Sequence, residues 1–171
     1  MKNEKALLLT LAIIQFSHIT DFMILMPLGP QLMSEFAILP DQFALLVSTY
    51  TFSAGVSGFV GAFFIDRFDR KKVLLLAATG FALGTLSCSV MNSYELLLLA
   101  RGLTGAFGGV LGALILSIIG DIIPNERRAS AMGIVMASFS AASVVGVPSG
   151  LVLSNLSDWH FPFLVLGSFA T

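Results

Sequence analysis

Five residues could do chemistry in a chain otherwise short of it. Gln15, Ser17, His18 and Asp21 lie close together in one apolar run, and Arg101 lies alone in another. Ser17, His18 and Asp21 are three or four residues apart, which puts them on one helix face with Gln15 at its border. An Asp or Arg at the centre of a membrane helix costs about 2.5–3.5 kcal/mol, so such residues face a cavity and a partner. Arg101 is the available partner for Asp21. Burial favours the neutral carboxyl and a cationic neighbour favours the carboxylate. Any movement that separates the pair would therefore load or release a proton. His18, one turn deeper, could relay that proton, meet a substrate, or simply pack and hydrogen-bond. The plain alternative is an ion pair that only ties two helices together.

The elements that position these groups follow from composition. Of 171 residues, 56% are hydrophobic and only 11% are charged, against about 25% charged in an average soluble domain. Such a chain cannot coat a water-facing surface, so an integral membrane protein is expected. A net charge of −1 gives no field for a nucleic acid, and the single cysteine, Cys88, supports no disulfide framework. Apolar runs cover residues 6–28, 42–65, 73–94, 96–120 and 129–153, with a sixth over 160–171. A bilayer needs about 20 helical residues, so the sixth span is expected to be truncated and the chain to be part of a longer protein. The runs lack two-residue alternation, so helices are expected, not a β-barrel. Lys2 and Lys5 before Ala6 imitate a signal peptide, but no cleavage site follows and the apolar run continues.

Charge then orients the chain. Eight of the nine Lys and Arg residues fall on the N-terminal side of the membrane, and the ninth is Arg101 itself. The expectation is a cytoplasmic N-terminus. Asp21 precedes the end of its run at Leu28 by seven residues, and Arg101 follows Tyr94 by seven, on an antiparallel span. Both lie about 10 Å below the outer boundary, so they can meet. Gly80-x3-Gly84, Gly105-x3-Gly109, Gly108-x3-Gly112 and Gly146-x3-Gly150 have the spacing of close helix contacts in lipid, a pattern common in any bundle. There is no phosphate loop, metal-ligand spacing or nucleophile elbow, so no enzyme, cofactor or metal is expected.

The stretch Ala62-Phe63-Phe64-Ile65-Asp66-Arg67-Phe68-Asp69-Arg70-Lys71 resembles a signature of the major facilitator superfamily, G-x-L-a-D-R-x-G-R-[RK]. Asp66, Arg67, Arg70 and Lys71 match; Ala62 and Asp69 stand where glycines are usual. Asp69 thereby adds a carboxylate that could partner Arg67, Arg70 or Lys71. Arg101 and Gly105 resemble the family's R-x-x-x-G motif, and Pro124-Asn125-Glu126-Arg127 its P-x-E-R loop. Gly146 and Gly150 resemble an antiporter signature, G-x-x-x-G-P-x-x-G, with Ala142 for the first glycine and Pro148 one place late. Asp21 and Pro30 keep the spacing of a drug/proton antiporter motif.

The resemblance implies an all-α integral membrane fold, the N-terminal six-helix half of a twelve-helix transporter, with five full spans and a truncated sixth. Substrate would bind between the halves. The signature loop would latch them, Asp66 meeting the other half and Arg70 pairing with an acid such as Asp121. The implied activity is proton-coupled export of a small molecule, a drug or sugar, in an inner (plasma) membrane. The implied partners are lipid, protons, a small-molecule substrate and the C-terminal half. Proton symport for uptake and a non-transporting fragment or interaction partner are the alternatives.

Overall fold

The computed structural model describes residues 2–170, apart from the side chains of Lys2, Asn3, Phe64 and Asp66. The described residues form helices and turns, with no strand among them. The helices are α1 (Lys2–Ile24), α2 (Gly29–Glu35), α3 (Pro40–Phe64), α4 (Arg70–Cys88), α5 (Tyr94–Ile122), α6 (Asn125–Ala141), α7 (Val147–Leu156) and α8 (His160–Ala170). Among the described residues, five stretches are long and apolar enough to cross a membrane: α1, α3, α4, α5 and the continuous α6–α7.

Local chemistry sets the ends. Pro40 opens α3, where the Gln42 side chain accepts the Leu39 N–H at 3.0 Å. Ser93 caps α5 by accepting the Leu96 N–H at 3.3 Å. The segment 29–40, between the first two apolar runs, contains α2. Pro30 favours a helix start because its missing N–H would be unbonded there anyway, and Leu32 is fully buried. Ala37, at φ 48°, ends the excursion. Between α6 and α7, Ala142–Gly146 form a π-helical segment in which the Val147 N–H reaches back to Ala142. Pro148 supplies the reason: it has no N–H, and its ring collides with the carbonyl four residues earlier, so the α-ladder cannot run straight through.

Helix α3 lies along α5, α4 packs on α5 and α8, and α1 packs on α6. With the spans numbered one to six, the pairings two–four and one–five exchange if span one maps to four, two to five and three to six. The pairing three–six maps onto itself. This is the arrangement of two inverted three-helix repeats. The α3–α5 seam is held close by glycine. A methyl on Gly109 would lie 2.0 Å from the Ala54 carbonyl oxygen, and one on Gly105 would lie 2.4 Å from that of Tyr50. Many hydroxyls inside the helices, including Thr10, Ser48, Thr51, Thr79 and Thr104, donate to the carbonyl four residues back, which hides their polarity from lipid.

The core is layered. One apolar cluster gathers Leu8, Leu11, Phe81, Leu111, Ile115 and Val135 toward the end where α4 and α6 begin, the basic end. Another gathers Ile24, Leu28, Leu46, Leu97, Trp159 and Phe163 toward the opposite end. Between them lies a buried polar layer that includes Asp21, Tyr50, Thr85, Arg101 and Thr104.

Candidate functional site

Asp21 on α1 and Arg101 on α5 meet in that layer. Arg101 Nη1 donates to Asp21 Oδ2 at 2.8 Å, and both side chains have zero exposure. Nη1 and Nη2 also approach the Asp21 backbone carbonyl at 3.5 Å. The contact is one-pronged. Asp21 Oδ1 and Arg101 Nε have no hydrogen-bond partner among the described residues. The guanidinium carbon sits 4.4 Å above the Tyr50 ring and 5.9 Å from that of Phe163. The six-helix unit buries this pair by itself, so a molecule resting on the outside of the unit cannot touch either side chain directly.

The remaining α1 residues divide. The Ser17 hydroxyl donates to the Ile13 carbonyl at 3.1 Å and is committed to the helix. Both His18 ring nitrogens and Gln15 Oε1 are buried without a partner among the described residues. The His18 ring leans edge-on to Phe81 at 5.8 Å and lies 6.3 Å from Tyr50. Gly108 makes room for both rings: a methyl there would come within 2.7 Å of the His18 ring and 2.8 Å of the Tyr50 hydroxyl. Tyr50 is the functional candidate missed from sequence. It lies in the charge-free span 42–65, where nothing marks which way an aromatic points. Its only signal was being the one tyrosine inside that span.

At the basic end the turn 65–69 carries the charged cluster. Arg70 Nε lies 2.6 Å from Asp121 Oδ2, and Arg70 Nη1 donates to the Ser117 hydroxyl, so the start of α4 is tied to the end of α5. Asp69 is the N-cap of α4, its Oδ1 accepting the backbone N–H of Lys71 at 2.9 Å and of Lys72 at 3.1 Å. That role explains a carboxylate where the signature has glycine: it satisfies two donors that the first turn leaves open. Arg67 and Lys71 are exposed on the same turn, and the Asp66 side chain lies outside the described residues. A further pair, Arg127 Nη1 with Glu4 Oε1 at 3.0 Å, joins the starts of α6 and α1.

Of the antiporter-like residues, Gly146 and Gly150 are buried against α1. A methyl on Gly146 would meet Thr20 Oγ1 at 2.5 Å, and one on Gly150 would meet Ile24 Cδ1 at 1.8 Å. Pro148 sits at the start of α7. The Ser138 hydroxyl adds a bond to the Ala12 carbonyl at 2.9 Å.

A bundle of apolar spanning helices in inverted repeats, with a charge pair sealed between two apolar layers, defines a multi-pass membrane protein of the secondary-transporter architecture. Residues 11–171 match the family model described as Major Facilitator Superfamily, and the chain belongs to that family of membrane transporters. It is 30% identical over 149 residues to the uncharacterized MFS-type transporter YceJ of Bacillus subtilis (strain 168), covering 87% of this chain and 38% of that protein. It is 26% identical over 125 residues to Multidrug resistance protein 3 of the same organism, covering 73% of this chain and 24% of the relative. Among solved structures it superposes on a bacterial homolog of the human lysosomal transporter Spinster, in an inward-facing and occupied conformation. The TM-score there is 0.85 at 20% identity, over 98% of this chain and 42% of that one. The chain thus spans less than half the length of each.

Proposed function

We propose that this unit forms the N-terminal half of a proton-coupled exporter of a small molecule, a drug or sugar, in the inner (plasma) membrane. The observation that carries the reading is the Asp21–Arg101 pair. A fully buried, one-pronged ion pair inside a membrane bundle is costly, and one carboxylate oxygen is left for a proton. The similarity to a multidrug resistance protein is in keeping with export, while a vacuolar membrane amino acid uptake transporter of Schizosaccharomyces pombe is 31% identical over 102 residues.

The proposed orientation puts the N-terminus and the basic end in the cytoplasm, because basic residues crowd there. Substrate then binds between this unit and a C-terminal half, and it acts on the buried pair through helix movement. His18 and Gln15, whose polar atoms have no partner among the described residues, are the proposed route between the pair and the substrate face. At the basic end, Arg70–Asp121 braces the turn that carries Asp66 and Arg67 and the start of α4 that carries Lys71, the proposed latch against the other half. Gly146, Pro148 and Gly150 are proposed to shape the fifth span against α1.

The test is Asp21→Asn in the full-length transporter, reconstituted in proteoliposomes and assayed with a panel of candidate compounds, with and without a proton gradient. Gradient-driven flux is expected to vanish while the protein still inserts. Flux at the wild-type rate would refute the switch.

A further inference from the structure

Asp21 Oδ1 and Arg101 Nε are both buried without a partner among the described residues, although they belong to groups already in contact. A guanidinium and a carboxylate normally close a two-pronged fork, which would satisfy a second oxygen. Something holds the fork open. The Tyr50 ring covers the guanidinium face at 4.4 Å, with Phe163 at 5.9 Å. Tyr50 is itself fixed, 2% exposed and stacked on Phe22 at 5.5 Å, and its backbone lies against Gly105 of α5. A desolvated cation over a tyrosine face is firmly held, so Arg101 cannot turn freely toward Asp21.

We propose that Tyr50 is a positioning residue that keeps Arg101 to a single hydrogen bond with the carboxylate, its second arm turned to the Asp21 backbone carbonyl at 3.5 Å, and so leaves Asp21 Oδ1 free as the atom that takes the proton. The inference rests on reading Asp21 as a proton switch. In the step itself a proton from the aqueous phase bonds to an Oδ1 lone pair. The carboxylate becomes a neutral acid, Oδ2 still accepts from Arg101 Nη1, and the pair goes from neutral to singly positive. Around it stand His18 on α1, Tyr50 on α3, Cys88 on α4 and Arg101 on α5. From α8 the neighbour is Phe163, which does not titrate.

The experiment is an infrared pH titration of the full-length transporter in lipid, following the carboxylic-acid band that Asp21→Asn removes. In Tyr50→Leu the guanidinium can close the fork on Oδ1. Protonation should then need about tenfold more protons, the worth of one added hydrogen bond to a charged group. Tyr50→Phe keeps the ring and should titrate as wild type, which a role for the hydroxyl would not allow. Should Tyr50→Leu not insert, Tyr50→Met replaces it. A leucine or methionine variant that titrates as wild type, or at lower proton concentration, overturns the proposal, as does a phenylalanine variant shifted equally. If the wild type shows no such band at any pH, the proton switch fails and this inference with it. If the band is present but Tyr50 does not move it, the switch stands and only the positioning role falls.

Discussion

Gly109→Ala should loosen the α3–α5 seam. The added methyl would sit 2.0 Å from the Ala54 carbonyl oxygen, 2.5 Å from Ser57 Oγ and 2.7 Å from the Ala54 carbonyl carbon. Two of these are backbone atoms of α3, so no side-chain rotation relieves them. The helices must part by about 1 Å to bring the worst contact to a tolerable 3.0 Å. Overpacking of this kind costs about 1–3 kcal/mol. Alanine returns roughly 0.5–1 kcal/mol through its better helix propensity. The net loss is therefore about 0–2.5 kcal/mol, centred near 1 kcal/mol, or roughly 2–4 °C in melting temperature for a unit of this size. The assay heats the detergent-solubilised full-length transporter and follows the monodisperse fraction by size-exclusion chromatography. Gly112→Ala and Gly133→Ala are the controls, because a methyl there meets nothing within 4 Å. They should melt at or slightly above wild type. If Gly109→Ala melts with them, close approach at this seam is not what holds the bundle together.

Three further outcomes are expected. Asp69→Ala removes the α4 cap and should lower stability by about 1 kcal/mol, while Asp69→Asn, which still accepts, should retain most of it; equal losses in thermal melts would point to the charge. Arg70→Ala should slow transport more than Lys71→Ala. The Arg70–Asp121 pair is 27% and 51% exposed, so it adds under about 1 kcal/mol of stability, and initial flux rates are the measurement that separates the two variants. Arg101→Leu strands the Asp21 carboxylate and should cost about 3–5 kcal/mol, visible as loss of folded protein. Adding Asp21→Asn to it should restore much of the yield.

The buried pair was legible because charge in an apolar run is rare and two such residues at matching depth have few other partners. Arg70 with Asp121 was legible through the signature's resemblance. What escaped depended on rotation about a helix axis. Nothing in the charge-free span 42–65 says that Tyr50 turns toward Arg101 while Phe52, Phe59 and Phe63 turn outward. The cap at Asp69 is hidden because the signature's glycine carries no information on which N–H groups of α4 need an acceptor. The π-helical segment needed both Pro148 and the packing of Gly146 on Thr20 to become visible. Among the glycine pairs, Gly105 and Gly109 both lie against α3, whereas Gly112 faces open space, a distinction that spacing alone does not carry.

The inverted repeats have one more consequence. A two-fold relation makes the two ends of the bundle alike in their main helix pairings, two–four with one–five and three–six with itself. What distinguishes up from down is a handful of side chains. Asp21 and Arg101 lie off-centre toward one end, and the Arg70–Asp121 and Arg127–Glu4 ties belong to the other. Direction in this architecture is thus carried mainly by side chains laid over a frame whose two ends are alike.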